Sequence, residues 1–351
     1  MAEATYTDVA NFVRLSAKLP VLDVRAPSEF AKGHIPGAHN LPLFSDNERA
    51  LIGTLYKNVG RKAAMLAGLE QIGPRMREYV ECIEKITDQN KLLVHCWRGG
   101  MRSKSIAWLL GLFDYEVKLL EGGYKAFRNY VLKGFEEQRN VYILSGRTGS
   151  KKTVILKEMA KAGKPVIDLE GLANHKGSSF GALGQPPQPT QQQFENDLGV
   201  AWLSTAPDKP LWLEDESRHV GQCTLPGAIW QQMRNAKVFF LDASVGDRSE
   251  HLMDEYGDFN EQELRDAIER VRERLGGLHT KLALQMLEEG DRRACCEILL
   301  EHYYDKTYLH GLSKRPQENI HRIPVSLTDI SDILFKLNQA TVEFTPELRQ
   351  A

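Results

Sequence analysis

Short apolar runs alternate with stretches of helical periodicity along most of the chain. The runs at 20–25, 91–95, 141–144, 165–169, 211–214 and 237–242 are rich in branched or aromatic residues, and most stop at a charge, a cysteine or a glycine. Such runs predict buried strands, and strands separated by helical patterns predict a parallel α/β sheet. Helical spacing is clearest from Arg49 to Tyr56, Lys62 to Ile72, Met76 to Ile86 and Val154 to Ala162, and again from Phe194 to Leu203. From about Arg248 to Leu312 the pattern is helical and acidic, and Ile330 to Leu337 reads as a closing helix. A length of 351 residues suits two cores. The expected domains are 1–130, with a helical insertion around 44–90, and 141–312. A helical connector at 131–140 joins them, and an extension, 313–351, follows.

Composition narrows the class. No apolar run approaches the ~18 residues of a membrane span, and no signal-peptide pattern opens the chain, so a cytoplasmic protein with no membrane partner is expected. The five cysteines (82, 96, 223, 295 and 296) form no CxxC pair, which speaks against a zinc site or a disulfide framework. The net charge of −2 hides an asymmetry. Residues 98–164 hold fourteen Lys/Arg against six Asp/Glu, leaving the remainder at −10. That stripe suits phosphates or an RNA backbone, and equally a solvated helix surface. Lys57, Arg61 and Lys62 on the insertion have the same two readings.

Two strand ends carry candidate chemistry. After the strand at 91–95 come Cys96-Trp97-Arg98-Gly99-Gly100-Met101-Arg102-Ser103 and a helical pattern that Ser103 is placed to cap. A thiol at the carboxyl end of a strand, beside a helix amino terminus and two guanidinium groups, is favoured as thiolate, making Cys96 the candidate nucleophile. Trp97, Arg98, Gly99, Gly100 and Arg102 would hold a donor anion. After the strand at 141–144 come Gly146-Arg147-Thr148-Gly149-Ser150-Lys151-Lys152-Thr153. Strand, glycine-bearing loop and helix are the setting of a phosphate-binding loop, and Lys152-Thr153 fit its G-x-x-x-x-G-K-[ST] pattern. Lys151 replaces the second glycine, and a side chain there opposes positive φ. This speaks against nucleotide turnover and leaves an anion site. Glu214 and Asp215 end an apolar run as Mg²⁺-holding acids do near such loops, with Arg218 close behind. Asp168 is a further supporting acid, while His175 and His219 are expected to be neutral hydrogen-bonded residues.

Asp23-Val24-Arg25, Glu29-Phe30, Gly33-His34-Ile35-Pro36-Gly37-Ala38 and Asn40, together with the Cys96 loop, resemble a rhodanese domain. The Cys-x5-Arg spacing matches the longer loop of the rhodanese-related phosphatases. With Gly146 to Ser150, Asp168 to Ala173, His175, Gly177 to Gly181 and Glu214 to Arg218, nearly the whole chain resembles the tRNA 2-selenouridine synthase family. Lys151 and Lys176 depart from the family pattern. The resemblance implies an α/β fold, rhodanese-like first and P-loop-like second, with a helical C-terminal region. It implies a transferase acting on the anticodon loop of tRNA. There, 2-thiouridine at the wobble position would be geranylated with geranyl diphosphate. Selenium from selenophosphate would then replace the S-geranyl group through a chalcogen adduct on Cys96. No tightly bound cofactor is implied, Mg²⁺ is possible, and a monomer is expected. A Cys-x5-Arg phosphatase, and a P-loop kinase or ATPase with a sulfur-delivering domain, are the alternatives.

Overall fold

The computed structural model describes residues 4–177, 181–256 and 260–344. Ser178, Ser179 and Phe180 of the family-like stretch lie outside the described residues. The chain forms two compact units, residues 1–136 with 189–204, and residues 137–188 with 205–351.

The first unit is built on a parallel sheet of β1 (Thr5–Thr7), β2 (Val21–Asp23), β3 (Ala38–Asn40), β4 (Lys91–His95) and β5 (Glu116–Leu120). Their order is β1-β5-β4-β2-β3. Leu92, Leu93 and Val94 of β4 are fully buried, which is why that run is apolar without alternation. Val94 lies opposite Leu22 and Leu119, so Cys96 emerges at the carboxyl edge of the sheet's central strand. The helices are α1 (Val9–Ser16), α2 (Pro27–Lys32), α3 (Asp46–Asn58), α4 (Arg61–Ile72), α5 (Met76–Ile86), α6 (Met101–Gly111) and α7 (Gly123–Gly134). Ser45 and Glu48 form a reciprocal capping box at the start of α3. Tyr79, Val80 and Ile83 of α5 enter the core.

The helix Gln191–Ser204 belongs to this unit, although the sequence places it in the middle of the second domain. Gly199 lies against Val131 and Gly134 against Leu203, so the backbones of this helix and α7 approach closely. Buried Asn196 donates to the His34 carbonyl at 2.8 Å and to the Tyr124 hydroxyl at 2.7 Å. Arg128 pairs with Glu195 at 2.6 Å. Contacts between residues more than 60 positions apart decide the membership, and helical periodicity does not register them.

The second unit holds the strands β6 (Val141–Gly146), β7 (Val166–Ile167), β8 (Leu211–Glu214), β9 (His219–Val220), β10 (Cys223–Thr224), β11 (Lys237–Asp242) and β12 (Ile320–Pro324). The sheet is parallel in the order β12-β11-β6-β8-β7, and β9 and β10 form a small hairpin. The expectation that 313–351 lies outside the domain is corrected here. β12 pairs with β11 from Val238 opposite Ile320 to Asp242 opposite Pro324, completing the sheet. The helices that bear on the site are α8 (Lys152–Lys161), α9 (Leu169–Ala173), α10 (Gly227–Asn235), α11 (Val245–Tyr256), α12 (Glu261–Arg270), α13 (Arg272–Leu275), α14 (Gly277–Glu288), α15 (Arg292–Leu299) and α16 (Asp305–Leu312). One π-helical turn, Leu300–Tyr304, joins α15 to α16. Among the described residues no helix is long and apolar enough to cross a membrane.

Candidate active site

The Cys96 sulfur is nearly enclosed, at 3% exposure. The Gly100 N–H donates to it at 3.2 Å, and the Ser103 hydroxyl lies 3.3 Å away. Ser103 does not cap α6, since Gly100 holds that position and Ser103 sits buried within the first turn. Its oxygen also reaches the Gly100 carbonyl at 3.1 Å. A hydroxyl has one proton to give. With a thiol, the S–H points to Ser103 and the hydroxyl to Gly100; with an anionic sulfur, the hydroxyl turns to the sulfur. Ser103→Ala is therefore expected to slow alkylation of Cys96 by iodoacetamide about three- to tenfold, the worth of one hydrogen bond. An unchanged rate would exclude this role.

Glycines shape the loop. Gly123 has φ +62°, and a Cβ there would lie 2.4 Å from both the Cys96 carbonyl and the Gly99 nitrogen. The chain leaving β5 therefore lies directly on the loop, and Tyr124 N–H donates to the Cys96 carbonyl at 2.8 Å. Arg98 and Trp97 are exposed at the rim. Arg102 is not free, because its Nη1 donates to Glu29 at 2.8 Å. The same carboxylate oxygen lies 3.6 Å from Nε of Arg49, a residue of α3 that the motif does not predict. Beneath the loop, Arg25 pairs with Asp23 at 2.5 Å and covers the Tyr124 ring at 3.7 Å. Burial pushes the neighbouring His95 imidazole below its usual range, so it is neutral at pH 7.

In the second unit the phosphate-type loop forms as its spacing predicts, and Lys151 takes the left-handed conformation at φ 56° and ψ 24°. Its ammonium donates to the Leu327 carbonyl at 3.0 Å, so the strained residue is anchored there. Gly149 has φ +86°, and a Cβ there would lie 2.9 Å from the Arg248 carbonyl. Lys152 folds back on the Gly146 carbonyl at 3.0 Å, and Thr153 donates to Glu170 at 2.9 Å. The buried Ser150 hydroxyl has no hydrogen-bond partner among the described residues. Arg147 turns instead to Asp242, at 2.9 Å, and Asp305, at 3.7 Å. Thr148 to Thr153 line a cavity of about 870 Å³, together with apolar Leu252, Leu264, Ile268, Leu287, Leu300 and Tyr303 and with charged Lys157, Lys176, Arg274 and Arg292. Cys295 and Cys296 also line it, and burial pushes their thiols up to about 11 and about 12, so both stay neutral.

The supporting acids divide. Asp168 accepts from Gly171 N–H at 2.7 Å as the cap of α9, and Arg218 is exposed. Asp215 accepts from Ser145 and from Tyr308, each at 2.8 Å, and from Arg315. Tyr308 also receives Gly146 N–H at 3.0 Å, which fixes the start of the loop. Asp215 is thus caged, whereas Glu170, Glu214 and Glu216 present carboxylate oxygens within 4.8 Å of one another. Neither Glu170 nor Glu216 was singled out by the motif. His175 accepts from Gly177 N–H at 3.1 Å and His219 lies 3.1 Å from the Thr224 hydroxyl, so both have local partners.

Burial, then mutual repulsion, pushes Glu214 and Glu216 well above the usual carboxylate range, and burial raises Glu170. Among the described residues, one oxygen of the fully buried Glu214 has no hydrogen-bond partner. Three hard oxygen donors with an orphaned atom among them fit the Mg²⁺ implied by a phosphate-loop fold. Raised carboxyl pKa values stabilise the fold below the unfolded value near pH 4.5 and cost stability as pH rises through the folded values. At neutral pH without divalent metal, Glu214→Gln should therefore raise the melting temperature, by about 2–4 °C for each kcal/mol gained. Added Mn²⁺ should stabilise the wild type more than the variant, read by thermal shift and by Mn²⁺ electron paramagnetic resonance. Equal stabilisation of both would remove the cation from this cluster.

The family model described as the tRNA 2-selenouridine synthase AAA domain matches residues 139–334, and the rhodanese-like domain model matches residues 9–130. The chain belongs to the tRNA 2-selenouridine synthase family. A tRNA 2-selenouridine synthase of Bdellovibrio bacteriovorus is 35% identical over 85% of this chain and 90% of its own length. The synthase of Marinobacter nauticus is 35% identical over 91% and 95%. That of Shewanella sediminis is 36% identical over 86% and 90%. The fold is that of this family, a rhodanese-like domain followed by a P-loop-like α/β domain with a helical C-terminal region.

Proposed function

We propose that the protein is a transferase that converts 2-thiouridine at the wobble position of tRNA to 2-selenouridine in two stages. It first geranylates the sulfur with geranyl diphosphate, and then exchanges the S-geranyl group for selenium from selenophosphate. The observation that carries this reading is the cavity of about 870 Å³, lined both by the phosphate loop with its cations and by Leu264, Ile268, Leu287, Leu300 and Tyr303. An allylic diphosphate combines the same two chemistries, and the volume lies within the ~300–1,000 Å³ range of small-molecule sites.

In the first stage the 2-thio sulfur attacks C1 of the geranyl group, the C1–O bond breaks, diphosphate leaves with the electron pair, and the N3 proton of the base passes to solvent, to be regained when selenium replaces the S-geranyl group. Lys152 swings from the Gly146 carbonyl to the leaving oxygens, while the N–H groups at the start of α8 hold the remaining charge. Glu170, Glu214 and Glu216 would hold a divalent cation, which supplies further positive charge to the leaving group. Tyr308, which also lines the cavity, and Arg315 hold Asp215 and the start of the loop, as positioning residues.

The second stage belongs to the Cys96 loop, where Arg98 and the loop N–H groups receive selenophosphate. Selenium in that donor is already at the selenide level. A sulfur–selenium bond on Cys96 would need an oxidant that neither substrate supplies. The electron count therefore replaces the expected chalcogen adduct with a phosphoryl adduct. The Cys96 sulfur attacks phosphorus, the P–Se bond breaks, and selenide leaves with the electron pair. Selenide then attacks C2 and geranylthiol departs, while water returns Cys96 to the thiol and yields phosphate. No electrons are gained or lost. Incubating the protein with 2-thiouridine tRNA and both donors, followed by nucleoside mass spectrometry, tests the whole: 2-selenouridine is expected, and unaltered 2-thiouridine would refute it.

A further inference from the structure

The helical hairpin of α3 and α4 turns only part of its apolar surface inward, with Ile52 and Ile72 packed against the core. The fully buried positions of α4 are Ala64 and Gly68, with Gly68 against the Phe44 ring, while Met65, Leu66 and Leu69 face outward. On α3 no residue is fully buried, and Leu51 and Tyr56 are exposed. Ordinary amphipathic helices place their large apolar residues toward the core. Around the hairpin tip, Tyr56 is 62% and Val59 69% exposed, beside exposed Lys57, Arg61 and Lys62. From Arg49 to Leu69 there are four cations and no carboxylate. At the root, Asp46 accepts from the Ser28 N–H and hydroxyl, and Arg49 meets the Glu29 carboxylate that holds Arg102 of the Cys96 loop.

We infer that this hairpin is the docking surface for the anticodon stem-loop of the tRNA, an assignment that rests on the function proposed above. Charge decides the occupant: the tip, from Tyr56 to Lys62, carries three cations and no carboxylate, while the hairpin's acids, Asp46, Glu48 and Glu70, lie toward its root, so the tip matches a phosphate backbone, and exposed Tyr56 offers a plane on which an unstacked base packs. Position decides the use. The rise from Arg49 to Lys57 is about 12 Å along α3, so one backbone running down the hairpin is gripped at the tip and reaches the rim of the thiol loop at the root. Arg49 lies where the two meet, and pairing with Glu29 keeps it oriented.

The test compares wild type with K57E/R61E/K62E in binding a fluorescent anticodon stem-loop carrying 2-thiouridine, by anisotropy at several salt concentrations. The variant is expected to bind at least about tenfold more weakly, with a log K against log salt slope shallower by about two, the share of three single-strand phosphates. Tyr56→Ala should weaken binding and leave that slope unchanged. Iodoacetamide labelling of Cys96 and the thermal melt should match wild type in both variants, showing an intact first domain. Wild-type affinity in the charge-reversed protein would overturn the assignment alone. Failure of the wild type to bind the stem-loop at all would overturn both the assignment and the reading beneath it. Self-association abolished by L66E/L69E, with RNA affinity unaltered, would give the face to a second copy and likewise overturn the proposal.

Discussion

Cys96→Ser is expected to arrest the reaction at the geranylated nucleoside, with 2-selenouridine formed at least about 10³-fold more slowly than by the wild type, as is usual when a nucleophile is removed. The sulfur sits at the carboxyl edge of the central strand with an N–H and a hydroxyl directed at it. Serine oxygen is a much weaker nucleophile at neutral pH, so the P–Se bond stays intact and no selenide is released. On the proposed function geranylation takes place in the second unit's cavity and should proceed at the wild-type rate, so S-geranyl-2-thiouridine is expected to accumulate. Nucleoside mass spectrometry over a time course reads both stages at once. A phosphoryl group on the Cys96 peptide, captured by rapid acid quench in the wild type, is the companion result. Undiminished selenium incorporation in the variant would remove Cys96 from the chemistry.

Lys152→Met should have the converse effect, slowing geranyl transfer by about 10²–10³-fold, the usual loss when a charge-stabilising donor is deleted. Its ammonium rests on the Gly146 carbonyl and lies 5.9 Å from the Tyr308 ring, within the loop that would face the diphosphate. Methionine keeps the length and apolar stem of the side chain and removes the charge. RNA supplied already geranylated should still be converted to 2-selenouridine by this variant, because that step does not use the cavity. Calorimetric titration with inorganic diphosphate gives an independent reading, since binding should weaken in parallel. Full geranylation activity would place the leaving group elsewhere.

What the sequence reveals of these sites follows from distance along the chain. The Cys96 loop and the phosphate loop are contiguous, and each strand, turn and helix is set by its own residues, so both are legible. Even the anomaly at Lys151 is legible, because a motif glycine marks a required left-handed backbone and the structure holds that conformation with a lysine. Partners brought in by topology are not. Tyr308 and Arg315 reach the phosphate loop and Asp215 from 100 or more residues away in most contacts, and nothing in their local pattern separates them from core or surface residues. Asp215 resembles a metal ligand because it follows an apolar strand, yet the chain turns tightly there, the Glu216 N–H donating to the Glu214 carbonyl at 3.0 Å, and the Asp215 carboxylate is held by Ser145, Tyr308 and Arg315. Ser103 had the residue type of a helix cap, but the helix begins two residues earlier and carries its hydroxyl to the sulfur. The cavity is invisible in the sequence for a related reason, its apolar lining being assembled from α11, α12, α14, α15 and the π-helical turn.

That π-helical turn carries one residue more than an α-helix would need over the same rise. Over five residues the π winding turns about as far as four residues of α-helix, so the surplus residue is absorbed locally and α16 keeps its phase, with the Tyr308 hydroxyl on Gly146. Excising one residue between Leu300 and Tyr304 would let the segment close as regular helix and leave Tyr308 on its bearing. Excising one residue from the regular helix between Asp305 and Tyr308 would instead rotate that side chain by about 100° and swing it off the loop. A single-residue deletion should therefore be tolerated better in the π-helical turn than one turn further along the chain.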